Sequence, residues 1–310
     1  MNKKKLIIIL FLLQSFISGA QCLSSVNPVG GTDNMLVLEK KSLRIISFYR
    51  YGQGNRYYEG NQHAEYNLID KAFYNYLSTI AGYGLSGKLT LELETGYFFN
   101  KTQKYNLSPQ YALTGKGLSN AAILAKQSLF TEPFKRLYVT GSAGVKFPFS
   151  RELQQQENVT LPVEVQPASG AFGAVLGASL VKESSGTGRR YFLTSRFETN
   201  AENKENYRLG NMLFSSIYIS QHLKHPKLKD KWTAILQVRH ELRTSDRIKD
   251  RIKEASGSSL LFVAPQLNYV LNDEWYLSGM ADIPAYQNFN GTQLGAGLGF
   301  TFIVSRTFRL

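Results

Sequence analysis

Cysteine occurs once in the 310 residues, as Cys22, so no disulfide can form within the chain. Histidine is nearly as scarce: His63, His222, His225 and His240 are dispersed, and His222 with His225 has no cysteine or carboxylate company. No metal site and no other cofactor is therefore expected. Long apolar runs are missing as well. The apolar stretch Leu6–Leu13 falls well short of the ~20 residues that a spanning helix needs, and no other stretch approaches that length. These absences exclude a disulfide scaffold, a zinc module and a helical membrane protein.

The chain starts with Lys3, Lys4 and Lys5, then the Leu6–Leu13 run, then Ser18-Gly19-Ala20. A basic start, a short apolar stretch and small residues at a cut site read as a signal peptide over 1–20, so the protein is expected to be exported. Cys22 follows the cut, but Gln21 stands where a lipoprotein would carry a small residue, which argues against lipidation. The formal charge is +13, a balance that often means nucleic acid. In an exported chain without a nucleic-acid module, lipid phosphates and anionic solutes are the expected partners instead.

What the sequence has in quantity is alternation. In Lys88–Asn100, Leu89, Leu91, Leu93, Thr95, Tyr97 and Phe99 fall on one face of an extended strand, with Glu92 and Glu94 on the other. Similar segments lie before it at Ser42–Tyr51 and Lys71–Gly84 and after it at Gly117–Phe130, Arg136–Phe147, Ala171–Lys182, Arg190–Asn200, Gly210–His222, Trp232–Arg243, Leu260–Leu271 and Trp275–Ala285. A last one alternates Leu294, Ala296, Leu298, Phe300, Phe302 and Val304, after an expected loop at Asn288–Thr292. Short and long connections alternate between them, Asn100–Lys116 being one of the expected long loops. The expected fold is all-β: a transmembrane antiparallel up-and-down β-barrel of about 12 strands, with short periplasmic turns and long extracellular loops. The domain plan is a signal peptide (1–20), a periplasmic segment or plug (21–41) and the barrel (42–310). A modest mean hydropathy of −0.23 is no objection, because a barrel hides its apolar residues in alternation.

Two details sharpen this reading. Trp232 and Trp275 each open a strand after a short turn, while Tyr97, Phe99 and Phe147 end strands running the other way. They are expected at the two membrane interfaces, where aromatic rings form girdles. Pro265 inside a strand removes a ladder donor, so a bulge is expected there.

The expected inward faces collect Arg44, Arg50, Glu92, Glu94, Lys126, Arg136, Lys146, Arg190, Arg196, Glu198, Arg239, Glu241 and Asp282, with Phe48, Phe98 and Phe192 among them. Such a set describes either a net basic lumen favouring anionic solutes or a narrow interior filled by salt bridges. Twelve strands lie between the filled barrel of eight and the aqueous channel of sixteen, so both readings stay open. Glu92 and Glu94 resemble a catalytic pair, but facing arginines commonly neutralise such pairs. Ser220 and His222 are the nearest offer of a lipid-hydrolase nucleophile and base, without an evident asparagine partner, so no enzyme is expected. The charged loop Thr244–Ser258 could meet lipopolysaccharide phosphates or simply be solvated.

The segments Val26–Thr32 (VNPVGGT), Leu43–Gly52 (LRIISFYRYG), Tyr83–Thr90 (YGLSGKLT) and Gly117–Asn120 (GLSN) resemble a group of bacterial outer-membrane β-barrel proteins classed as transporters, including those associated with phenol-degradation pathways. The resemblance implies an outer-membrane barrel passing small organic molecules, and brings no catalytic motif. The expectation is thus a Gram-negative outer-membrane, porin-like channel or transporter for a small solute, anionic or aromatic, with outer-membrane lipids and lipopolysaccharide as neighbours. The alternative is a closed structural or adhesive barrel acting through its loops.

Overall fold

Period-2 alternation sends one set of side chains to each face, and the strands of this chain close on themselves to keep the two faces apart. The structure is a computed structural model that describes residues 31–223, 231–272 and 274–310. The expected signal peptide, Cys22 and His225 lie outside the described residues.

Twelve strands form the wall: β1 (Ser42–Gly54), β2 (Ile69–Ser86), β3 (Leu89–Tyr105), β4 (Ala121–Glu132), β5 (Leu137–Phe147), β6 (Gly173–Glu183), β7 (Arg189–Asn200), β8 (Met212–His222), β9 (Trp232–Arg243), β10 (Ser258–Val270), β11 (Trp275–Leu294) and β12 (Gly299–Arg309). Each pairs antiparallel with its sequence neighbour, and β12 returns to β1 with Ser42 opposite Arg309. Closure leaves no free edge for another chain to extend. One end carries the tight turns and the other the longer loops, termed here the turn end and the loop end.

The outer face carries a continuous apolar band. Across one row, Leu180 faces Leu193, then Ile217, Val238, Val263 and Ile283 on successive strands. Leu193 is 48% exposed and Ile217 57%. A continuous exposed band of this kind is prohibitive in water and natural against lipid. On the other face, Thr90, Glu92 and Glu94 are buried between exposed Leu91 and Leu93.

Several boundaries differ from those expected. The loop expected over Asn100–Lys116 is instead an extension of β3 to Tyr105 and a return strand, Tyr111–Leu118, so β4 starts at Ala121. The Asn288–Thr292 loop is absent. β11 runs through it to Leu294, pairing there with the short strand Tyr57–Gly60. Leu294 is therefore buried inside rather than set on the outer face of the last strand. The connection from β11 to β12 shrinks to 295–298, which breaks the strict alternation of short and long. Pro265 makes no bulge of its own: pairing with β11 lapses between Val263–Ile283 and Gln266–Met280, while the register shift lies at Leu261/Phe262. The missing donor costs ladder bonds at the proline, and the extra residue, Ala285, sits across from Leu261/Phe262, a few residues away.

At the loop end, Asp246 ties two connections together, 201–211 and 244–257. Fully buried, it accepts from the Gly210 amide at 2.7 Å and from the Tyr207 hydroxyl, and its two oxygens accept from Arg243 Nη2 at 2.6 and 2.8 Å. Burial, then the adjacent Asp246 charge, hold the Tyr207 phenol above its ordinary range, so it stays a donor. Asp246→Ala strips the hub from a buried arginine, a loss of about 3–5 kcal/mol in local order. Limited proteolysis should then cut within 201–211 or 244–257 while the barrel core resists.

Candidate functional site in the barrel interior

Inward residues two apart on a strand, and opposite residues on the next, meet at the spacing of salt bridges. On β3 and β4, Glu92 bonds Lys126 at 2.6 Å. On β6's other side, Glu198 of β7 takes Lys146 at 2.7 Å and Arg196 at 2.8 Å. Arg196 also reaches across the interior to Glu94, giving a bidentate pair with both bonds at 2.8 Å. Bidentate arginine–carboxylate pairs are among the strongest and most directional polar contacts. A second cluster lies on β9 and β11, where Arg239 holds Glu241 and Asp282, each at 2.7 Å. Arg50 donates to Thr301 at 3.0 Å beside the Phe48 ring, and Arg44 to Thr307 at 3.0 Å.

One of the expected inward cations is elsewhere. Arg136 is not in a strand: it closes the turn after Pro133 with a left-handed φ of 48°, and its half-exposed side chain meets Glu183 at 3.4 Å. Arg190 stays on the inward face but at the turn-end rim, half-exposed, facing the same Glu183 at 3.6 Å. Ser220 is buried, and His222 engages the Trp232 carbonyl and the Thr233 hydroxyl instead of the serine. Trp232 and Trp275 lie at the turn end, packed on Tyr269 and under Arg306. Tyr97 and Phe99 are exposed at the loop end with ring centroids 5.4 Å apart, and Phe147 ends β5 there, packed on Phe149.

Segment 31–41 enters the interior from the turn end. Met35 packs among Val181, Phe192, Tyr218 and Ile235. Lys126 donates to the Asn34 side chain at 3.0 Å and to its carbonyl, Thr140 to the Met35 carbonyl at 2.9 Å, and the Leu38 amide to Thr90 at 2.8 Å. Gly84 makes the entry possible, since a Cβ there would stand 2.0 Å from the Glu39 carbonyl oxygen.

The loop after β5 folds into the opposite mouth. Val165 is fully buried, with Leu161 and Leu113 against it. Lys101 of β3 donates to the Gln166 carbonyl at 3.0 Å, Asn120 to Ser169 at 2.8 Å, and Lys253 to Glu164 at 3.0 Å. Sequence reasoning missed Lys101 because it placed that residue in a loop.

Among the described residues, three cavities between these elements matter to the interior. One of about 130 Å³ lies under the folded loop, one of about 50 Å³ lies deeper, and one of about 690 Å³ opens around segment 31–41 at the turn end. Glu94 and Arg196 line both of the first two, and Met35 lines both of the last two. The cavities form a series along the interior, divided once by an ion pair and once by the entering segment. Among the described residues no cluster of three or more candidate metal ligands occurs.

A closed twelve-stranded antiparallel wall with an apolar outside and a polar, paired inside defines the class: this is a bacterial outer-membrane β-barrel fold. No family model matches the chain, and no curated protein matches it by sequence. Among solved structures it is similar to the COG4313 outer membrane channel from Pseudomonas putida F1, with 11% identity over 92% of this chain and 100% of that one and a TM-score of 0.69. More distant are the KdgM porin, with 7% identity over 85% of this chain and 99% of that one and a TM-score of 0.45, and a FadL homologue from Pseudomonas aeruginosa, with 7% identity over 87% and 90% and a TM-score of 0.41.

Proposed function

We propose that the protein is an outer-membrane channel for small solutes, resting in a closed state, with the turn end in the periplasm and the looped end outside. The observation that carries this reading is the series of cavities, whose dividing walls are movable side chains and a threaded segment rather than the barrel itself. Passage is passive through a charged lumen, once the 31–41 plug and the loop over 148–172 give way. The fold of the Pseudomonas putida channel supports the same class.

One observation favours the rival reading of a closed structural barrel. Glu92, Glu94, Glu198, Glu241 and Asp282 all hold a cationic partner, which makes the interior well filled. Flux separates the two. Liposomes carrying the refolded chain should swell in small organic anions faster than in matched cations of equal size, and both faster than empty liposomes. Rates equal to those of empty liposomes for every solute would leave the structural barrel.

A further inference from the structure

The 130 Å³ cavity under the folded loop has a chemistry of its own. Phe98 is 4% exposed, Tyr76 7% and Phe214 3%, and all three line it. The Tyr76 and Phe98 rings stand 4.5 Å apart and meet at 39°. Lys101 lines it too, 3% exposed, with its Nζ 5.3 Å from the centre of the Phe98 ring. Lys126, Lys146, Arg196, Arg239 and Arg243 each hold a carboxylate. Lys101 holds none at ion-pair distance among the described residues; its acceptor is the neutral Gln166 carbonyl. The Glu164 carboxylate on the same loop is bonded to Lys253 and reaches Lys101 only as a nearby charge beyond ion-pair distance.

A buried ammonium has three donors and pays heavily for lost hydration unless an anion meets it. Asn200, which lines the same cavity from β7 and is 3% exposed, has a side-chain oxygen with no hydrogen-bond partner. The cavity thus offers a cation, an unused acceptor and a cluster of aromatic rings. Its volume is somewhat below the ~150 Å³ of an apolar protein cavity that holds one benzene, which sets a single ring as the upper limit, with any substituents reaching to the polar groups of its lining.

We propose that this cavity binds a single-ring aromatic carboxylate carrying a ring hydroxyl, with the carboxylate on Lys101, the ring against Phe98, Tyr76 and Phe214, and the hydroxyl donating to Asn200. The proposal rests on the channel reading, for which it names the class of solute. Acids with two fused rings are too large, and uncharged phenols lack the group that Lys101 demands.

The test is calorimetric titration of the full mature chain in detergent with 4-hydroxybenzoate, benzoate and phenol, alongside conductance of the same preparation. Saturable binding is expected in the order 4-hydroxybenzoate, benzoate, phenol. Lys101→Met should weaken 4-hydroxybenzoate about tenfold or more, and Asn200→Ala should abolish its advantage over benzoate. Heat-modifiable mobility checks that each variant is folded; if Lys101→Met is not, Asn200→Ala and Phe98→Leu carry the test alone. No saturable binding to the wild-type chain, or equal binding by the folded variants, overturns the site. Binding without conductance overturns the channel and leaves the site standing; conductance without binding does the reverse.

Discussion

Arg196→Met should destabilise the barrel by about 3–5 kcal/mol, because it removes the one cation shared by Glu94 and Glu198 and leaves buried charge behind. Urea unfolding in lipid vesicles would read this directly. The same change removes the wall between the loop-end cavity and the next. Conductance should therefore rise, and the freed carboxylate of Glu94 should tilt ion selectivity towards cations. Arg196→Lys keeps the charge but gives up the bidentate geometry, so it should restore selectivity more fully than stability. If Arg196→Met matches the wild type in both readouts, the pair is not the dividing wall.

Gly84→Ala should release the plug. Its new Cβ would press on the Glu39 carbonyl oxygen, a backbone atom that cannot swing away as a side chain would, and on Leu38 behind it. The contacts of Asn34, Met35 and Leu38 to Lys126, Thr140 and Thr90 then lose their seat. The expected result is a several-fold higher single-channel conductance with little change in the unfolding midpoint, since the wall ladders are untouched.

Alternation was enough to read the wall. Leu91 and Leu93 against Glu92 and Glu94 already declare which face meets lipid, and the recurrence of that pattern gives the strand number. What alternation could not supply is anything that depends on where the barrel's curvature brings distant strands. Glu94 and Arg196 are 102 residues apart and sit on β3 and β7; each was legible as inward, but their meeting across the interior was not. Arg136 was misplaced by one position, because a left-handed turn residue looks like the first residue of a strand. Lys101 was invisible for a different reason. Lys101, Thr102 and Gln103 are all buried, since the folded loop covers what would have been the strand's open end, and the period of 2 disappears there. Leu294 was assigned to the wrong strand because β11 continues past a sequence, Asn288–Thr292, that has every mark of a turn.

The most direct measurement of the central claim is single-channel recording of the refolded mature chain in a planar bilayer under a salt gradient, with Gly84→Ala beside it. A closed-resting channel predicts rare, brief anion-preferring openings in the wild type and long, larger ones in the variant. Silence in both, from barrels shown to be folded by heat-modifiable mobility, would contradict it and leave a barrel that works through its loops.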